Sequence, residues 1–102
     1  MFESKGKTMA KFVCILKDEK KEKEEALPDY LLSGHIEHLK KLKNKGILVL
    51  CGPLRDGINN TGMIIIEANS MEEAKKLFLE DPFIINKWYR DYSIYQLQEA
   101  VL

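Results

Sequence analysis

One aspartate and two histidines are the side chains of this sequence whose types and positions suit proton transfer. His35 and His38 lie three positions apart in a segment where leucines recur at helical spacing. Asp81 precedes Pro82, where a second helical pattern must end. A carboxylate that accepts a hydrogen bond from one imidazole nitrogen fixes the tautomer of the ring and stabilises its charged form. Such a pair is the smallest apparatus for general acid–base chemistry near neutral pH.

Each of these residues also has a structural interpretation. On a helical wheel His35 falls inside the apolar stripe beside Leu39 and Leu42, and His38 falls at the border of that stripe. A histidine there can be a core residue whose ring is hydrogen-bonded, and Asp81 can serve the turn alone. The two histidines could also ligate a metal, but no third ligand has a suitable spacing. We therefore expect no metal and no cofactor.

A second group of candidate residues follows the apolar run Ile47–Cys51. Gly52-Pro53 is expected to end a strand there, and residues 54–62 have turn chemistry throughout. Arg55 lies on this predicted loop. Because long loops beside a rigid sheet often carry binding groups, we expect substrate contacts from this region. A turn without any other role is the alternative.

Hydrophobic periodicity and helix signals predict the elements that position these residues. Gly46 ends the first helix, and the capping box Ser70-Met71-Glu72-Glu73 begins the second. The order is βαββαβ, which predicts an α+β, ferredoxin-like plait: a four-stranded antiparallel sheet with two helices on one face. The predicted strands are Ala10–Leu16, Ile47–Cys51, Met63–Ala68 and Arg90–Leu97, and the predicted helices are Pro28–Lys45 and a segment from Ser70 to near Asp81.

This topology makes predictions about the sheet. Strand three lies between strands one and two, so Cys14 and Cys51 stand about 9–10 Å apart, too far for a disulfide. We expect both cysteines to act as small apolar core residues. The first three strands are apolar at nearly every position, whereas an open sheet face alternates with polar residues. The second apolar face of the sheet then needs to be covered, and the simplest partner is a second copy of the chain related by a two-fold axis. We therefore predict a homodimer whose two sheets face each other.

Composition excludes several classes of protein. The 102 residues carry sixteen basic and sixteen acidic side chains, a balance that argues against nucleic-acid binding and against an anionic membrane surface. The longest apolar runs are about five residues, far below the ~20 that span a bilayer.

We expect a cytoplasmic protein with a flexible tail over residues 1–8 and a single domain over residues 9–102. Lys17–Glu25, nine charged residues in a row, predicts a solvated loop or a frayed helix start.

Several short motifs, in this order and at these spacings, resemble the YciI-related domain over about Met9 to Leu97. They are His35–Leu42, Gly46-Ile47-Leu48, Cys51-Gly52-Pro53, Ser70–Ala74 and Asp81-Pro82-Phe83. The resemblance implies a dimeric α+β barrel, related in architecture to muconolactone isomerase. It also implies a proposed catalytic pair, a histidine on the first helix and an aspartate before proline, which fall on His35 and Asp81. Some members act in the degradation of chlorinated aromatic compounds, for instance as a dehydrochlorinase. Many carry an arginine three residues before the helix histidine, where this chain has Leu32, which puts recognition of an anionic substrate in doubt.

Two functional hypotheses follow. The first is a small acid–base enzyme of the isomerase or lyase type, for example one that dehydrochlorinates or isomerises a small organic substrate or lactone. The second is a non-catalytic dimeric module that binds a small ligand or a partner protein through the same cleft. Assemblies larger than a dimer stay open. For the enzyme we expect His35 and Asp81 to be catalytic, with substrate contacts from Gly52, Pro53, His38 and Arg55.

Overall fold

The computed structural model describes residues 9–18, 27–55, 60–89 and 91–102. The tail predicted over residues 1–8 and most of the charged segment 17–25 lie outside the described residues. The elements are β1 (Ala10–Asp18), α1 (Asp29–Asn44), β2 (Leu48–Arg55), β3 (Asn60–Ala68), α2 (Met71–Phe78), α3 (Pro82–Ile85) and β4 (Asp91–Leu97).

The four strands form one antiparallel sheet in the order β2-β3-β1-β4. Cys14 in the central strand β1 pairs with Ile64 of β3 on one side and with Ile94 of β4 on the other. Strand β3 therefore separates β1 from β2, and both cysteines are free. The predicted α+β, ferredoxin-like fold is confirmed, with α3 as a short third helix that the sequence analysis did not anticipate.

One face of the sheet carries the core. Alternate residues of β1 and β3 point to this face and are almost fully buried, and they pack against Leu42 of α1 and Ala74 and Phe78 of α2. The strand residues of this cluster are Phe12, Cys14, Leu16, Ile64, Ile66 and Ala68. Burial of this apolar surface holds both long helices on the same face.

The predicted helix signals form the caps that they indicate. Gly46 has a positive φ of 74°, and the N–H groups of Gly46 and Ile47 donate to the carbonyls of Lys43 and Leu42, closing α1. The Ser70 hydroxyl accepts from the N–H of Glu73 at the start of α2. None of the described helices is long and apolar enough to cross a membrane.

Strand β2 extends beyond its predicted end. Gly52-Pro53 does not end the strand, which continues to Arg55. The turn predicted over residues 54–62 is wrong at both ends, because residues 54–55 belong to β2 and residues 60–62 to β3, whereas residues 56–59 lie outside the described residues. A proline is tolerated because β2 is an edge strand, where the N–H that proline lacks would point away from the sheet and bond no neighbouring strand. The edge position also leaves Cys51 exposed, so the prediction that both cysteines lie in the core holds only for Cys14.

The second face of the sheet is apolar and only partly covered. Tyr95 of β4 is 54% exposed and Leu50 of β2 is 48% exposed. Between these edge strands, the outward residues of β1 and β3 are half-buried: Val13, Ile15, Met63 and Ile65. This chain therefore presents an apolar sheet surface, called here the open face.

Candidate active site

His35 and Asp81 meet where α1 packs against α3. Nδ1 of His35 lies 2.8 Å from Oδ2 and 3.0 Å from Oδ1 of Asp81. An ionised carboxylate only accepts hydrogen bonds, so Nδ1 of the ring donates. The neutral ring then carries its lone pair on Nε2, which is the nitrogen left free to act as a base.

Asp81 is fully buried and has two tasks in this arrangement. Burial raises the pKa of its carboxyl, but the two histidines beside it and the N–H of Phe83 lower that pKa by more, to about 2. Oδ1 also accepts the Phe83 N–H at 2.9 Å and so caps α3. The same carboxylate therefore begins a helix and orients a histidine ring.

Two residues that the sequence analysis did not single out hold the ring of His35 in place. The Phe83 ring stacks on the imidazole, with centroids 4.0 Å apart and planes 12° from parallel. Gly34 allows α3 to approach α1, since a Cβ at this position would stand 3.0 Å from Cγ of Pro82. A glycine in the middle of a helix, directly before the histidine, was the available signal for the second of these.

The ring of His35 forms part of the wall of a cleft of about 490 Å³, called here the His35 cleft. Its walls come from α1, from the edge strand β2, from β3 and from Phe83. Most of the lining is apolar, and Arg55 is the basic residue among the lining residues. The lining residues are Leu16, Leu27, Leu32, His35, Leu39, Cys51, Gly52, Pro53, Arg55, Gly62, Met63, Ile64, Phe83 and Tyr89.

The structure brings most of the predicted site residues together. Gly52, Pro53 and Arg55 line the same cleft as His35, with Asp81 directly behind the ring. They reach it from the extended end of β2 and not from a loop. Among the described residues, no group of three or more His, Cys, Asp or Glu side chains could hold a metal ion.

His38 is placed differently from the prediction. Only 7% of it is exposed, so it is the more buried histidine and lies in the packed stripe of α1, not at the border. Its Nε2 donates to the carbonyl of Leu77 at 2.9 Å, and its Nδ1 lies 3.7 Å from Oδ2 of Asp81. The reason is tertiary: the end of α2 covers this side of α1. His38 therefore stands behind Asp81, away from the lining of the cleft.

Comparison with known proteins gives one family and a solved structure of the same fold. The family model of the YCII-related domain matches residues 10–98. No curated protein matches the chain. Among solved structures, the chain is similar to 5-chloro-2-hydroxyhydroquinone dehydrochlorinase (TftG) from Burkholderia phenoliruptrix AC1100 in complex with 2,5-dihydroxybenzoquinone. The TM-score is 0.62 at 19% identity, over 88% of this chain and 95% of that one.

Proposed function

The chain belongs to the family of YCII-related domains, and we propose that it is a small-molecule enzyme in which His35 transfers a proton. The observation that carries this proposal is the hydrogen bond from His35 to the buried Asp81 at the wall of an apolar cleft. The dehydrochlorinase activity of the structural neighbour supports a reaction of the lyase type.

The geometry gives each residue of the pair a defined part in proton transfer. Nε2 of His35 accepts a proton from a carbon of the substrate, and Asp81 stabilises the imidazolium that results, because its carboxylate already accepts the Nδ1–H. Stacking on Phe83 keeps the ring in one orientation during the transfer. General acid–base assistance of this kind contributes typically 10²–10⁴-fold to a rate.

Two reactions fit this proton transfer. In a dehydrochlorination the bond to the proton that His35 removes leaves its electron pair to a new double bond, while chloride leaves with the electrons of the C–Cl bond, and the proton stays on His35 until water removes it. An aromatic substrate reacts in this way from its keto tautomer, in which the carbon that carries chlorine is saturated. In an isomerisation the imidazolium returns the proton to a different carbon. Both begin with the same step at Nε2 of His35, which is why the site supports an isomerase or a lyase equally.

The lining of the cleft suits a small, flat, largely apolar substrate. Leu32 and Leu39 from α1 and Ile64 from β3 line the cleft, so planar unsaturated rings find apolar contacts. Arg55 also lines the cleft, and we assign to its cation the stabilisation of the negative charge that develops as the proton leaves. With Leu32 in the helix wall, we assign the stabilisation of an anion to Arg55 on β2.

We also propose that the active form is a homodimer that buries the open face. The exposed side chains on that face, among them Leu50 and Tyr95, form an apolar surface of the kind that a second copy covers. The sheets of two copies would then face each other.

The proposed activity can be tested with a defined set of probes. We would measure chloride release from 5-chloro-2-hydroxyhydroquinone, and deuterium uptake from D₂O by small unsaturated lactones, with wild-type protein. Turnover is expected, and it should fall at least about 100-fold in His35→Ala. Glu37→Gln, an exposed neighbour on the same helix, is the matched control and should keep full activity.

Two results would overturn the proposed activity. One is equal turnover by wild type and His35→Ala. The other is binding of 2,5-dihydroxybenzoquinone, measured by calorimetry, without proton transfer to or from any probe, which favours the non-catalytic binding module.

A further inference from the structure

His38 is the buried ionisable group that the proposed reaction does not use. It is 93% buried, and its two ring nitrogens have different surroundings. Nε2 donates to the carbonyl of Leu77, which can only accept, so this nitrogen carries a hydrogen. Nδ1 is buried without a hydrogen-bond partner, and a buried polar atom of this kind costs free energy.

The unpartnered nitrogen faces the same carboxylate oxygen that His35 uses. Nδ1 of His38 lies 3.7 Å from Oδ2 of Asp81, and Nδ1 of His35 lies 2.8 Å from that atom. The two nitrogens are therefore within 6.5 Å of each other. When His38 takes up a proton, the new N–H points toward the carboxylate and the buried nitrogen gains a partner.

We propose that His38 positions Asp81 and shares its carboxylate with His35, so that proton uptake at either ring opposes uptake at the other. The bond to Leu77 ties the end of α2, and with it the short segment that leads to Asp81, to helix α1. The opposition arises because two imidazolium charges would face a single carboxylate at short range.

In the part of the chain that the structure describes, a third titratable group feels the charge of Asp81 without disturbing this coupling. Burial of Cys14 on β1, together with the charge of Asp81, raises the pKa of its thiol to about 12. The thiol is therefore neutral over the range in which imidazoles titrate. Among the described residues, the groups that share charge around Asp81 are then the two histidines of α1.

The coupling has a consequence for the enzyme that rests on the proposed function. While His38 is uncharged, Asp81 is free to stabilise an imidazolium at His35, and the base works. A proton on His38 attracts the Asp81 carboxylate away from His35 and disfavours a positive charge on the His35 ring. Activity would then fall in acid through two linked protonations and not through one.

The experiment is an NMR titration of both rings without substrate, which separates its outcome from that of the proposed function. In wild type each Cε1–H signal should follow two steps, both visible at both rings. In His38→Gln the side-chain amide nitrogen replaces Nε2 and keeps the hydrogen bond to the carbonyl of Leu77, but the residue at position 38 no longer takes up a proton. His35 should then follow a single step.

The reciprocal variant keeps the inference testable if His38→Gln does not fold. In His35→Gln the signal of His38 should also become single-step, since coupling between two sites is mutual. Glu37→Gln should leave both curves two-step. A purely structural His38 would leave the titration of His35 unchanged in His38→Gln, and that result would overturn the proposal.

Discussion

A single buried carboxylate controls the chemistry open to His35. Asp81 accepts the Nδ1–H of the ring through Oδ2 and the Phe83 N–H through Oδ1, at 2.8 and 2.9 Å. In Asp81→Asn the amide oxygen would keep the helix cap and the amide nitrogen would face His35. Because that nitrogen donates, Nδ1 would have to accept and the proton would move to Nε2. The base would be lost from the cleft although the fold is intact.

The lowered pKa of Asp81 also makes a prediction about acid stability. The carboxyl has a pKa of about 2 in the fold against 3.8 in the unfolded chain. Its contribution, about 2 kcal/mol, is present above about pH 4 and is lost as the pH falls through about 2. Urea unfolding at pH 5 and at pH 2.5 should show a smaller loss of stability on acidification in Asp81→Asn than in wild type. An equal loss in the two proteins would contradict the assignment.

Sequence reasoning reached the residues of the pair but not their surroundings. His35 and Asp81 could be named because histidine in a leucine stripe and aspartate before proline are local signals. The burial of His38 could not, because it depends on where the end of α2 lies on α1. A helical wheel contains no information about the neighbouring elements, whereas the element that packs against a helix determines which of its sides is buried.

At the scale of the elements, the approach of α3 to α1 closes the site. A Cβ on Gly34 would meet Cγ of Pro82 at 3.0 Å, so the missing side chain lets α3 lie this close to α1. Alanine in a helix is favoured over glycine by about 1 kcal/mol. We expect Gly34→Ala to lower stability despite that gain, measured by urea unfolding. Ser33→Ala, exposed on the same helix, is the control and should not be destabilising. An increase of about 1 kcal/mol in the free energy of unfolding of Gly34→Ala would contradict this, because it would mean that α3 moves to make room for the added Cβ.

Two elements differ from what the sequence predicted, each for a physical reason. The sequence predicts the end of a strand at Gly52-Pro53, but β2 is an edge strand and accommodates a residue without an N–H. The sequence analysis predicts no element over Pro82–Ile85, although Asp81 followed by Pro82 is the sequence of an N-cap and a first helical residue. The first error depends on the position in the sheet, which local sequence does not contain. The second difference could have been predicted from the local sequence.

At the scale of the whole molecule, the open face leads to a prediction about assembly. Val13 and Ile65 are register partners at its centre, so a lysine there would place a charge inside the proposed dimer interface. Sedimentation equilibrium should give about twice 11.8 kDa for wild type and 11.8 kDa for Val13→Lys. Glu72→Lys, exposed on α2, should stay dimeric, and circular dichroism should show that all three proteins are folded. A monomeric wild type would contradict the dimer.

The pairing of His35 with Asp81 is tested by the tautomer of His35, read from the ¹⁵N shifts of its ring nitrogens at a pH where the ring is neutral. We expect a hydrogen on Nδ1 in wild type, because the Asp81 carboxylate accepts at 2.8 Å. In Asp81→Asn the hydrogen should move to Nε2. A wild-type ring that already carries its hydrogen on Nε2, or a tautomer that ignores the substitution, would mean that Asp81 does not orient His35, and the proposed acid–base pair would fail.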